Sequence, residues 1–311
     1  MKRLKTSTRH RNVVGSILML LLIASCTTPV GPVAMSSATP VDTVIVPSLT
    51  MTPSPAPVVN TPTSTPTPLA TLTAEQEKAY VLDMLKTNGA CELPCWWGIT
   101  PNETTLPTLR DRFGFHGTGS LLQDGTVLYE AHYDLGNSAG GGRYSIALGF
   151  GERDGIVDEI GVTAEVNAET QPRQFAQDWQ RYSIDQVLAR SGMPARVQVQ
   201  LVPPTEPGAP PSYAMTLVYE KYGFWIRYEG PATYDTKKAI VHACPTLAEV
   251  TRIQLRLRSP TASTRTPLFQ PDPNGFDKSL EEATGMSLKA FHENFKDTSK
   301  QTCLEGIPTS P

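Results

Sequence analysis

The stretch VLYEAHYDLGNSAGGGRYSIALGFGERDGIVDEIGVTAEV, residues 127–166, decides the fold. Val127, Tyr129, Ala131, Tyr133 and Leu135 alternate with Leu128, Glu130, His132 and Asp134. A period of two places one set on one face of a strand and the other on the opposite face. Tyr144, Ile146, Leu148 and Phe150 alternate in the same way with small or polar residues. Asp154-Gly155 then reads as a tight hairpin turn, after which Ile156, Ile160, Val162, Ala164 and Val166 share one parity. The expectation is an antiparallel sheet with one buried face.

Helical spacing precedes these strands. Thr73 and Gln76 form a capping-box pattern ahead of Tyr80, Val81, Met84 and Leu85, with Gly89 as the stop. Thr104 and Thr105 precede Leu106, Leu109 and Phe113, closed by Gly114. Downstream the order starts again. Ser183-Ile184-Asp185-Gln186 reads as a second capping box, Val187 and Leu188 as an apolar stripe, and Gly192 with Pro194 as the helix end. Strands follow at Val197 to Leu201, Tyr213 to Tyr219 and Phe224 to Tyr228, with a turn at Tyr222-Gly223. A last strand turns Ile253, Leu255 and Leu257 inward and Arg252, Gln254, Arg256 and Arg258 outward. The outward arginines fit either an acidic partner or charges that guard an outer strand against aggregation. Asp277 reads as the cap of a C-terminal helix bearing Leu280 and Ala283, and Leu288, Phe291 and Phe295 as a second one beyond Gly285. The fold class is therefore α+β: one helix-plus-antiparallel-sheet unit over residues 74–170, a second over 171–260, and a helical segment and tail over 261–311. This order resembles small envelope-assembly lipoproteins and the tandem β-lactamase-inhibitor-protein fold, which implies a short helical layer over one face of a sheet.

Residues 1–73 read differently. Lys2, Arg3, Lys5, Arg9 and Arg11 precede an apolar run from Val13 to Ala24. A basic head followed by a short apolar segment is signal-peptide anatomy, and the run is shorter than the roughly 20 residues of a membrane-spanning helix. Its end, Ile23-Ala24-Ser25-Cys26, resembles the lipobox of bacterial lipoproteins, which implies cleavage after residue 25 and a lipid on Cys26. Residues 27–73 hold ten prolines, seventeen Ser or Thr and a single charge, Asp42. Such a segment has no patterned apolar residues from which to build a core and favours an extended stalk. Loss of residues 1–25 removes five of the 27 basic residues and no acidic one, leaving 22 against 30 acidic. A net charge of −8 argues against nucleic acid as a partner, because phosphate binding needs clustered Lys and Arg. The expected location is extracytoplasmic, lipid-anchored to the cell membrane.

Between stalk and sheet lies Cys91-Glu92-Leu93-Pro94-Cys95-Trp96-Trp97-Gly98-Ile99-Thr100-Pro101. It resembles the PCWWGI-type motif of a family of stalked bacterial lipoproteins; the resemblance spans most of residues 74–306 and brings no activity with it. Trp96 and Trp97 are a candidate binding surface, or else indoles packed against a disulfide. Cys91, Cys95, Cys244 and Cys303 make an even set in an exported chain, read as two disulfides with three possible connectivities, of which Cys91 with Cys95 and Cys244 with Cys303 is favoured. The alternative is a zinc site of Cys91, Cys95, Cys244 and His242, at spacings unlike standard zinc patterns.

Other chemistry is thin. His292-Glu293 lacks the second histidine of a zincin, since position 296 is Lys296. Gly140-Gly141-Gly142 lies between strands, not between a strand and a helix as a phosphate loop does. Glu152, Asp154, Asp158 and Glu159 read as a solvated acidic turn or a weak Ca²⁺ site. His116, His132 and His242 have no nucleophile at an interpretable spacing. No catalytic, cofactor or metal residue is assigned. The expected function is a cell-envelope binding or scaffolding module with a protein or envelope polymer as partner. Its rivals are an extracytoplasmic enzyme on wall polymer or peptide and a solute-capturing receptor.

Overall fold

Thr73 caps the first helix, α1 (Ala74–Thr87): its hydroxyl accepts the Gln76 N–H at 3.3 Å while the Gln76 side chain accepts the Thr73 N–H at 2.9 Å. Thr105 caps α2 (Leu106–Phe113), and Gly114 closes it. The other helices are α3 (Pro172–Asp178), α4 (Ile184–Ser191), α5 (Leu280–Thr284) and α6 (Leu288–Phe295). The computed structural model describes residues 72–114, 119–122, 125–137, 141–166, 172–206, 208–261, 268–269, 275–297 and 302–309. The signal peptide, Cys26, nearly all of the stalk, the centre of the glycine loop and His116 lie outside the described residues. Among the described residues no helix is long and apolar enough to cross a membrane.

Two caps differ from the sequence reading. Ser183 precedes α4, but its hydroxyl donates to the Gln180 carbonyl at 2.9 Å and makes no cap bond. The one-turn 3-10 helix at residues 180–182 presents that carbonyl first. Asp277 does not cap α5; Ser279 does, in a capping box with Glu282. Asp277 turns instead to Arg227, 3.3 Å away.

The strands are β1 (Ser120–Leu121), β2 (Val127–Asn137), β3 (Gly141–Arg153), β4 (Ile156–Val166), β5 (Arg196–Val202), β6 (Ser212–Tyr219), β7 (Phe224–Pro231), β8 (Thr233–Asp235), β9 (Ile240–Ala243), β10 (Arg252–Arg258), β11 (Lys278–Ser279) and β12 (Leu304–Gly306). Nine of them form one antiparallel sheet in the order β1-β2-β3-β4-β10-β7-β6-β5-β11. The strands expected in two separate units thus share one sheet. A second sheet, β12-β9-β8, was not foreseen. The inward set from Tyr129 to Leu257 packs with Val81, Leu85, Leu109, Phe175, Trp179 and Leu188 of the helical layer and its flanking turn.

Three details correct the sequence reading. At the start of β4 Val157 is buried, while Ile156 is 37% exposed. A bulge causes this: Gly151 opposes Glu159 but Glu152 opposes Val157, so Asp158 is the extra residue and parity shifts. Next, β10 is an interior strand, Leu255 facing Val162 of β4 on one side and Ile226 of β7 on the other. Its arginines therefore guard no edge. Arg252 pairs with Glu165 at 2.8 Å and Glu229 at 3.3 Å, and Arg256 and Arg258 both pair with Glu159. Last, burial is one-sided only in part, because β6 is buried along Tyr213 to Tyr219 on both faces. Phe269 lies against Trp225 at 5.9 Å and under the Arg196 guanidinium at 5.6 Å, and those two flank Val218 in the register. The turn from β6 to β7 needs its glycine: Gly223 has φ +74°, and a Cβ there would run into the Arg258 carbonyl oxygen.

Candidate functional site

The chain between α1 and α2 is built around one side chain, Asn88. It is fully buried, with φ +54°, a left-handed conformation that asparagine tolerates better than most residues. Its Nδ2 donates to the carbonyls of Cys91 and Cys95, each at 2.9 Å, and its Oδ1 accepts the Trp97 N–H at 3.0 Å. Asn88→Ala strands the Cys95 carbonyl and the Trp97 N–H and leaves the Cys91 carbonyl only its bond from Arg181, and is expected to cost about 3 kcal/mol, since each buried unpaired polar group costs roughly 1–3 kcal/mol. Urea unfolding of the variant beside wild type checks this.

The clamp decides where the two tryptophans go. Trp96 and Trp97 are both 0% exposed, so the candidate binding surface at these residues is corrected to a buried core. Trp96 packs against Trp97 at 5.5 Å, Tyr182 at 5.0 Å and Trp179 at 6.2 Å between ring centres. Trp97 reaches Phe113 at 6.4 Å and Tyr133 at 6.0 Å. Removing apolar area of this size from water is favourable, and here the helices and the sheet cover it.

Cys91 is bonded to Cys95 and Cys244 to Cys303. With these sulfurs consumed, the zinc alternative loses its thiolates. Its proposed fourth ligand, His242, lies 3.2 Å from Glu305 across β9 and β12. No group of three or more His, Cys, Asp or Glu side chains converges among the described residues. Within the acidic turn Glu152 accepts the Gly155 N–H and Asp158 lies 3.8 Å from Arg153, while Glu159 pairs with the arginines of β10.

What the motif does at the surface is form one wall of a cleft. Glu92 and Leu93, inside the Cys91–Cys95 loop, face Val187, Arg190 and Ser191 of α4. Arg181 and Tyr182, from the 3-10 turn before α4, and Tyr222, from the turn before β7, complete the lining of a cavity of about 350 Å³. Arg181 Nη2 bonds Glu92 Oε1 at 2.8 Å and the Cys91 carbonyl at 3.3 Å. Arg190 donates to the Arg181 carbonyl at 3.2 Å and to Gln186 Oε1 at 3.4 Å. Burial pushes the Tyr182 phenol well up, with Arg181 pulling the other way. Burial, then the neighbouring Arg181 charge, lowers the Arg190 guanidinium. Phenol and guanidinium both keep their protons at neutral pH. The cleft therefore offers charge and hydrogen bonds to a ligand.

A second groove, of about 390 Å³, lies over β5, β6 and β7, walled by Pro210, Pro211 and Pro231. Its cation, Arg227, is held by Glu229 at 2.8 Å, Gln200 at 3.0 Å and Asp277 at 3.3 Å. That arginine joins strands and the segment before β11.

The sequence reading does not single out the cleft. Glu92 and Arg181 are 89 residues apart, and neither arginine belongs to a motif; only the fold brings them together. No family model, no curated protein and no solved structure matches the chain.

Proposed function

We propose that the mature protein is a cell-envelope lipoprotein, anchored through a lipid on Cys26 and carried outward on its Pro/Thr-rich stalk, whose ectodomain binds a protein partner. The observation that carries the binding reading is the cleft beside the Cys91–Cys95 loop. It combines two cations, an aromatic wall and a volume within the range of roughly 300–1,000 Å³ common for ligand sites. Burial pushes the Tyr182 phenol further above neutral pH and lowers the Arg190 guanidinium, which still keeps its charge there, and this favours holding a ligand over moving protons. The reading of residues 74–170 and 171–260 as tandem copies also draws support. Each set of three consecutive strands follows a pair of helices, and β2-β3-β4 and β7-β6-β5 run in opposite chain order on either side of β10.

Two results test this. Cys26→Ala is expected to leave the protein unlipidated by mass and to release it from the membrane fraction; an alanine variant that stays membrane-bound contradicts the anchor. Affinity capture of the full-length protein from its native membrane is expected to bring down a stoichiometric protein. Capture of nothing beyond background contradicts the binding reading.

A further inference from the structure

We infer that the cleft between α4 and the Cys91–Cys95 loop is a carboxylate-binding site, and that Glu92 occupies it as the chain's own stand-in. Resting on the binding-module reading, this names the ligand chemistry: a carboxylate carried on an apolar or aromatic body, presented by a protein partner.

Four observations meet in this place. Two cations line the cavity against one acidic residue, Glu92, so one positive charge is left over. Arg181 already holds a carboxylate oxygen, that of Glu92, at 2.8 Å, so the guanidinium is set for this kind of ligand. The Glu92 side chain is 70% exposed and that of Arg181 only 17%. The carboxylate thus reaches a sunken cation from the solvent side, and exposed pairs of this kind are weak and readily displaced. Lastly, Tyr182 is 1% exposed, and its hydroxyl lies within reach of the Arg181 guanidinium but makes no hydrogen bond of good geometry with it or with any other group. An unpartnered buried hydroxyl is costly, and an incoming carboxylate oxygen accepts from it. Leu93, Val187 and the Tyr222 ring provide apolar surface for the body of the ligand. A ligand that replaces Glu92 gains two guanidinium groups and a phenol, where Glu92 engages one guanidinium.

The test is calorimetric titration of the full-length protein, in non-ionic detergent, with four probes: N-acetyl-L-phenylalanine, its primary amide, N-acetyl-L-glutamate α-amide and phenyl phosphate. The acid is expected to bind and the amide to bind at least about tenfold more weakly, the loss typical of a charge-assisted hydrogen bond. Arg190→Gln is expected to weaken the acid about tenfold, and Arg190→Lys to restore part of it. Glu92→Gln is expected to tighten the acid about threefold, because it removes an internal competitor. A merely structural Glu92 would give no tightening. Tighter binding of acetylphenylalanine than of the glutamate amide assigns a chain terminus as the source; the reverse assigns an acidic side chain. Equal binding of acid and amide, or a Glu92→Gln variant no tighter than wild type, overturns the proposal. Phenyl phosphate binding more tightly than either acid overturns the assignment to carboxylate. Should wild type and Arg190→Gln capture the same protein from native membrane in equal yield while neither acid binds, the binding reading survives and the carboxylate site falls.

Discussion

Trp96→Ala is expected to lower the unfolding free energy of the ectodomain by about 4 kcal/mol, near the middle of the range for emptying a large buried aromatic site. The ring is 0% exposed and touches three other aromatic side chains, Trp97, Trp179 and Tyr182. These come from the segment just after the disulfide loop and from the segment between α3 and α4, so collapse into the cavity would require two parts of the chain to move together. Trp96→Phe, which keeps an aromatic ring, is expected to cost less than half as much. Urea unfolding followed by circular dichroism measures both. A Trp96→Ala variant as stable as wild type but unable to hold its partner would restore the surface role that burial has removed from this pair.

The second large effect belongs to the Cys244–Cys303 bond. Its sulfurs join positions 59 residues apart, and loop-closure entropy for a loop of that length corresponds to about 4 kcal/mol. Cys244 follows β9 and Cys303 precedes β12, and those strands pair Ala243 with Leu304 next to the bridge. Breaking the bond leaves the tail held by the three residues of β12 and by the bonds of Ile307 to Ala283 and of Thr309 to Leu201. The double variant Cys244→Ser with Cys303→Ser is therefore expected to unfold at markedly lower urea. The corresponding change at Cys91 and Cys95, four residues apart, is expected to cost only about 2 kcal/mol on the same argument. Similar losses for the two double variants would contradict this ranking.

The parts of the fold legible in the sequence are those governed by local physics. Period-two alternation places Tyr144, Ile146, Leu148 and Phe150 on the buried face, and all four are buried. Thr73, Thr105 and Gly114 act at helix ends as their chemistry dictates. Failures begin where a distant segment decides the outcome. The bulge at Asp158 moves burial from Ile156 to Val157 through pairing with β3, which alternation alone cannot anticipate. The Arg252, Arg256 and Arg258 row has the composition of an outer strand, yet β10 lies between β4 and β7, and Glu159, Glu165 and Glu229 from those neighbours neutralise it. Asp277 has the right chemistry for a cap, but Arg227, fifty residues away, claims it. The cleft follows the same rule. Its two walls lie about ninety residues apart in the chain, and Asn88 sets one of them by bonding residues that no periodicity connects.

The partner proposed for the ectodomain is held in the cleft beside the Cys91–Cys95 loop. This placement is tested most directly by site-specific photo-cross-linking in the native membrane. A benzophenone side chain replaces Ser191 at the cleft wall in one variant and Glu130, on the exposed face of β2, in another. A discrete adduct is expected from position 191 that disappears when Arg190→Gln is added, and none from position 130. An adduct from position 130 alone, or one at 191 indifferent to Arg190, would contradict this placement.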